Sequence, residues 1–471
     1  MADLLSILTN SATGLAAHQA AVATASNNIQ NANTPGYTLE VADLAAQSPD
    51  QLQGSAYVGR GVNLQTISQV RDPFIEKQLP TASGAQAGSS AESTALGAVT
   101  ALNPDGAGSL TQAIAAFYSS MQALAQNPGD GGLRLQALSS SQGMAQAFNG
   151  ASSALEAART GLDAQLGGTI SAANQAAATV ASLNRKIQVA RASGAEPNDL
   201  LDARQTAANT LSQLTGATQI PTGTGDLQMI LPGGGALVSG DQAGKLSVIA
   251  DGNNSGHLAF QLTRPDGTGP SAVSSSAFGG TIGGVLAARD GAILTAESGL
   301  DQLAANITTA VNTVHAAGVG LDGVTGRNLF VAQATVAGAA SRMALDPSVA
   351  GNPSAIAAAS SAGALPGDAS NIAALVATES TPLAGGANVG ATLAGIVTQF
   401  GASAATASSQ ATQDQTILSN LQTQRDSVSG VSIDEEMINL TKSQRAYDAV
   451  TKVITTADAM LSTLMTIGGT P

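Results

Sequence analysis

The chain has 471 residues, of which 43% are hydrophobic, only 11% charged and 2% aromatic, with no tryptophan and no cysteine. A net charge of -14 and a pI near 4.5 argue against nucleic acid and anionic membranes as partners, since both are held by clustered Lys and Arg. Missing cysteines exclude disulfides, thiolate metal sites and thiol nucleophiles, and the lack of Lys or Arg before Arg60 leaves no basic region for a secretory signal peptide.

Residues 3–33 predict one helix whose apolar residues Leu8, Leu15, Val22 and Ile29 repeat every seven positions. Such a stripe buries a narrow seam against partner helices rather than a broad face against a globule. Thr34-Pro35-Gly36-Tyr37 ends the helix: Pro35 fixes its own φ and pushes Thr34 out of the α region, and Gly36 supplies the positive φ of a type II turn. Asn27, Asn28, Asn31 and Asn33 can cap backbone groups around that corner. Residues 38–72 read as extended strand or loop, and helices resume near Asp72, over 109–127 and over 131–193. Glu196-Pro197-Asn198-Asp199 punctuates the run, with Asn198 expected to cap the helix that follows.

From about residue 216 Gly-rich turns separate three short candidate strands, at 227–231, 245–251 and 257–263. A helical pattern then runs to Ala317, four prolines keep 318–385 irregular, and a long helix is expected over 391–428, broken at Gly430. The last helix starts near Ser432 and carries a second seven-residue stripe: Ile433, Leu440, Tyr447, Ile454 and Leu461. Its first-turn acids Asp434, Glu435 and Glu436 favour the positive end of the helix dipole, with Ser432 and Glu435 placed for a capping box.

The expected architecture is mainly α: paired N- and C-terminal coiled-coil helices, a long-helix bundle domain, and a small β-rich inserted outer domain. The expected segments are 1–37 and 430–471 for the terminal coiled coil, 38–215 and 285–429 for the helical domain, and 216–284 for the insert. Catalysis finds little support. Gly318-Val319-Gly320-Leu321-Asp322-Gly323 has G-x-G-x-x-G spacing but follows a helix and precedes turn-rich sequence, so it reads as a turn. His18, His257 and His315 lack metal-ligand spacing. The expectation is no enzyme, no cofactor and no metal.

SNNIQNANTPGY (Ser26 to Tyr37) and DEEMINLTKSQRAYDAVTKVITTADAMLSTL far downstream resemble the paired end signatures of bacterial flagellar axial proteins, the rod, hook and hook-associated subunits. The interior stretches SLTQAIAAFYSSMQALAQNPGDGGLRLQAL, PNDLLDAR and GGTIGGVLAARDGAILTAESGLDQLAANITTAVNTVHAAGVGLDGVTGRNLF are similar to the FlgK family of hook-associated proteins within that group. The resemblance implies a structural subunit forming a junction ring between hook and filament, with paired termini innermost and the β insert outermost. It also implies export through the flagellar type III apparatus without a cleaved signal peptide, and an extracellular place at the hook-filament junction. The implied partners are the flagellar hook protein, the second junction protein FlgL, copies of itself in the ring, and an export chaperone at the C-terminal helix; nucleic acid and membrane are not among them.

Apart from the resemblance, a helix of about 30 residues is marginal alone in water, so the ends are expected to order largely on assembly. Tyr447 is expected to pack in the intrachain seam with Leu440 and Ile454, and the resemblance adds a contact with a neighbouring subunit. Two other readings compete: another axial protein, hook or distal rod, or a surface-binding module carried on the β insert.

Overall fold

A computed structural model of the chain describes residues 2–51, 57–103, 106 and 108–468. The outer limits of the expected terminal segments, Met1 and residues 469–471, lie outside them. Helix α1 (Ala2–Asn31) leads through the predicted corner into a hairpin of β1 (Glu40–Ala46) and β4 (Val62–Gln69), paired from Glu40↔Gln69 to Ala46↔Val62 with one irregularity after Asp43. The short pair β2 (Asp50–Gln51) and β3 (Tyr57–Val58) extends it. Asp72 then starts α2 (Pro73–Gly97): its carboxylate accepts from the Phe74 N–H at 2.8 Å, and Pro73 occupies the first helical position, where no N–H is needed.

Helix α3 (Leu110–Gln126) precedes α4 (Gly131–Ala192), which Asp130 caps and which spans 62 residues, a rod of about 90 Å. Leu155, Leu162, Leu166, Ile170, Ala173, Ala177 and Val180 recur at helical spacing along its buried side. Helix α5 (Asn198–Thr215) folds back on it. Pro197, not Asn198, flanks the start of α5, because the Asn198 side chain is taken by the Ile67 carbonyl at 2.8 Å.

The expected strands at 227–231, 245–251 and 257–263 are present, but they sit in two sheets. The first orders β5 (Thr218–Pro221), β6 (Leu227–Ile230), β7 (Ala236–Ser239) and β8 (Gln242–Ala243); the second is β11 (Ser271–Val273), β10 (Leu258–Thr263) and β9 (Lys245–Ala250). Two asparagines of α4 fix the sheets on its flank. Asn184 donates to the Leu227 carbonyl and accepts from its N–H, and Asn174 does the same with Leu246. Met229, Val238, Leu246 and Phe260 belong to the same buried cluster as Leu166 and Val180, so the sheets share one core with the long helix.

Helix α6 (Gly280–Leu286) runs through a π-helical turn (Ala287–Ile293) into α7 (Leu294–Ala317). The turn presents Arg289 and Asp290 to a polar network. Arg289 binds Asp163, Asp290 and the Leu258 carbonyl; Arg159 binds Glu297 and Asn254; and the His257 ring faces Asp163 and Glu156. Both guanidinium groups are fully buried among these partners.

Residues 318–388 hold short elements only: β12 (Val319–Gly320) against β13 (Ala357–Ala359), α8 (Ala339–Arg342) and α9 (Ser370–Ala377). The glycine motif at 318–323 forms a turn with Gly323 at φ +78°. Helix α10 (Val389–Ser429) lies along α2 and against α7, burying Leu393, Phe400, Ala407 and Leu418, and α11 (Ile433–Gly468) returns to α1.

Candidate assembly site

The Thr34–Tyr37 corner is closed by the Tyr37 N–H donating to the Thr34 carbonyl at 3.2 Å, with Gly36 at φ +85°. A Cβ on Gly36 would also stand 2.7 Å from Thr206 Oγ1 of α5, so both conformation and space require glycine. Asn31 donates to Asn27 and accepts from the Thr34 hydroxyl, which holds the last turn of α1 to the corner.

Asn28 is the hub of this region and is completely buried. Its amide nitrogen donates to the Glu40 carbonyl at 2.8 Å and to Glu436 Oε2 at 2.9 Å. Its oxygen accepts from the Glu40 N–H at 3.1 Å and from the Tyr37 hydroxyl at 2.8 Å. One side chain thus ties α1, the corner, β1 and α11. Asn27 adds a bond to the Tyr37 hydroxyl at 3.3 Å.

Below the hub the polar contacts continue into the body. Asp202 of α5 accepts from the Thr38 N–H at 3.1 Å and the Thr38 hydroxyl at 2.9 Å, and pairs with Arg71, which also reaches Glu76. Arg425 of α10 donates to the Tyr37 carbonyl at 2.9 Å, and the Leu39 N–H donates to the Ser429 carbonyl at 2.9 Å. Burial, reinforced by the surrounding carboxylates of Glu40, Asp199, Asp202 and Glu436, pushes the Tyr37 phenol well above its ordinary value, so it stays a neutral donor.

Helices α1 and α11 are antiparallel. The Asn28–Glu436 bond fixes one end of the register, and a Cβ on Gly14 would meet the Val450 side chain at 3.9 Å further along. The most buried α1 positions are small or polar: Gly14, Ala17, Thr24, Ala25 and Asn28. Leu8, Leu15, Val22 and Ile29 flank that line and are half-buried, as are Leu440, Tyr447, Ile454 and Leu461 on α11. Ile433 stands apart at 47% exposed, because it begins α11 opposite the point where α1 ends. At the free end of the pair Leu5, Ile7, Met460, Leu464 and Met465 are all exposed.

Two residues do more than their sequence positions suggest. Ser432 accepts from the Glu435 N–H at 3.4 Å, as a cap should, but Glu436 is buried and joins the Asn28 hub. Asp202 of PNDLLDAR looks like an ordinary helix acid, yet it receives the strand that leaves the corner. Spacing alone carries no signal for either, since the partner of Glu436 lies 408 residues away in sequence and that of Asp202 lies 164 away.

The histidines have structural surroundings. His315 is buried, with Nδ1 on the Arg327 carbonyl and Nε2 accepting from the Ala357 N–H, and burial lowers its pKa. His18 lines a groove of about 300 Å3 between α1, β1 and α11. Among the described residues no group of acidic or histidine side chains could hold a metal ion, and no helix is long and apolar enough to cross a membrane.

Residues 97–330 match the family model for the flagellar hook-associated protein FlgK helical domain. Residues 8–38 match that for the flagella basal body rod protein, and residues 422–467 that for the flagellar basal body rod FlgEFG protein C-terminal region. The flagellar hook-associated protein 1 of Escherichia coli (strain K12) is 28% identical over 332 residues, 69% of this chain and 60% of that protein. The Salmonella typhimurium protein of the same name is 27% identical over 69% of this chain and 59% of its own length. The chain thus spans about three fifths of the length of these two relatives. The protein of that name from Bacillus subtilis (strain 168) is 27% identical over 97% of both chains. The solved structure of the flagellar hook junction protein FlgK from Burkholderia pseudomallei aligns with a TM-score of 0.49 and 28% identity, covering 54% of this chain and 46% of that one.

Proposed function

The chain belongs to the family of the flagellar hook-associated protein FlgK, and from that premise we propose that it is a structural subunit of the bacterial flagellum that forms the junction ring between hook and filament. The observation that carries the reading is the incomplete seam. Pairing within one chain leaves Leu8, Leu15, Val22, Ile29, Leu440, Tyr447, Ile454 and Leu461 only half covered. Each side chain brought to full burial gains a further share of the roughly 1.5–3 kcal/mol that such burial supplies. Neighbouring copies, hook protein below and the second junction protein FlgL above are the partners that cover it, and Tyr447 and Ile433 belong to that contact. Incorporation completes the ordering of the ends that pairing within one chain begins, since helices of this kind gain most of their stability from tertiary contact.

Before assembly the same apolar residues of α11 would be guarded by an export chaperone, and the subunit reaches its extracellular place through the flagellar type III apparatus. The segment limits given by the sequence, with residues 216–284 as the outward part, belong to this reading. It contains no catalytic step.

The deciding experiment is electron microscopy of cells lacking the gene, with flagellin assayed in the medium. Complete hooks without filaments and flagellin lost to the medium support the junction role. Missing hooks move the assignment to hook or distal rod, and normal filaments leave the β segment as a surface-binding module the stronger reading.

A point test follows from the seam. Leu440→Asp and Ile454→Asp each place a charge on a half-buried apolar line and should abolish filament growth. Thr441→Asp, on the exposed side of α11, should leave filaments intact. Normal filaments with either seam variant would remove these residues from the interface.

A further inference from the structure

We propose that an apolar groove on the helical body receives the tip of the last helix from a neighbouring copy of this chain. The inference rests on the assembly reading above and names the surface on which one copy meets the next. Two apolar surfaces stay uncovered within one chain, and they lie far apart.

The first is a mostly apolar groove of about 610 Å3 between α2, α10 and β5. Phe74, 73% exposed, stands on the α2 side with Pro80 and Ala85, and Ile417 and Leu421 stand on the α10 side. A continuous apolar wall of this kind marks a contact surface rather than a scatter of single exposed residues. Its charged rim residues are Lys77 on α2 and Asp414 on α10.

The second surface is the tip of α11. The register set by Asn28–Glu436 and by Gly14 against Val450 places Ala2 opposite Ser462, so the turn from Thr463 onward projects past Ala2. Leu464 and Met465 in that turn are exposed, the methionine at 69%. Such a flexible thioether side chain fills irregular apolar gaps. Between Val453 and Thr466 the single charged residue is Asp458, which shares a helix face with Met465 at seven-residue spacing.

Tip and groove cannot meet within one chain. Glu436 binds Asn28 where the pair joins the body, and the helix from Glu436 to Leu464 rises about 40 Å away from that point. The groove instead begins beside it, since Phe74 closely follows Arg71, which is paired with Asp202. A knob and a groove at different places on identical chains make a heterologous contact, which closes into a ring or continues as a helical assembly. Charge sets the orientation. Lys77 and Asp458 are both exposed and neither forms an ion pair among the described residues, and pairing them across the contact turns Asp458 away from Asp414.

The chain has no cysteine, so a reporter pair can be added cleanly, and both chosen side chains are exposed. In cells carrying the full-length Ile417→Cys/Met465→Cys variant, mild oxidation of isolated flagella should give a ladder of cross-linked multimers that neither single variant can form. Adding Lys77→Glu should cut the cross-linked yield several-fold, and adding Asp458→Lys to that should restore it. Immunoblotting the same samples separates the two readings. Chain present on the flagella without a ladder overturns this inference and leaves the assembly reading standing, whereas chain absent from them overturns both. A yield that ignores the charge exchange overturns the inference as well, as does a photoreactive residue at position 417 that captures hook protein instead of this chain.

Discussion

Asn28→Ala should lower the free energy of opening the terminal helix pair by about 3–5 kcal/mol, one of the largest single-residue effects in the chain. The size comes from what remains. Truncation leaves the Glu40 N–H and carbonyl, the Tyr37 hydroxyl and the Glu436 carboxylate without their shared partner, around a position that itself has no exposed surface. Each buried group left unsatisfied costs about 1–3 kcal/mol, more when charged, and partial relaxation brings the sum down to the range given. Asn31→Ala is the control. It loses only local bonds to Asn27 and Thr34 at a half-buried position and should cost about 1 kcal/mol or less. Hydrogen exchange across α1 and α11 measures both. Equal effects would mean that the hub does not hold the pair.

Arg289→Ala should destabilise the body by about 3–5 kcal/mol through a different mechanism. Its guanidinium is 1% exposed and binds Asp163, Asp290 and the Leu258 carbonyl, so removal takes the facing cation from two largely buried carboxylates, leaving Asp163 to His257 and Asp290 to Asn254 and the more distant Arg159. If unpaired charge is the cause, adding Asp163→Asn and Asp290→Asn to the variant should recover much of the loss in a denaturant titration. No recovery would assign the effect to lost volume instead. Burial would raise the Asp290 carboxyl, but the Arg289 guanidinium and Asn254 hold it below its ordinary 3.8. The stability it contributes is full above that value and is lost only as pH falls below it.

Sequence periodicity and local stereochemistry expose the skeleton of this molecule. Pro35 and Gly36 dictate their corner whatever surrounds them, and Asp130 with the apolar line from Leu155 to Val180 announces a long helix from local pattern alone. The strands β5, β7, β8 and β11 are harder, because two to four residues carry almost no periodicity. The π-helical turn leaves no trace at all: Ala287–Ile293 continues the helical composition around it.

At the paired ends the large residues draw the eye, whereas Gly14, Ala17 and Ala25 are the more deeply buried. Hydrophobic size is a poor guide to which side of a paired helix is covered. Glu436 and Asp202 were legible only as helix acids because acceptors are chosen by the folded geometry, and Asn198 is drawn from its expected cap by a carbonyl 131 residues earlier. Ile433 fits the stripe in spacing, but α1 ends opposite it.

The Asn28–Glu436 contact joins residues 408 positions apart. Closing a loop of that length in an unfolded chain costs about 5 kcal/mol of entropy, and each later increment of length adds little. Once α4, the sheets and α10 are in place, the body itself brings the corner and Gly430 together and most of that entropy has already been lost. The first and last helices should therefore meet at the end of folding, however early either one leaves the ribosome. In a refolding experiment, amides of α4 should gain protection before those of α1 and α11, and a body that folds slowly should delay the ends by the same factor.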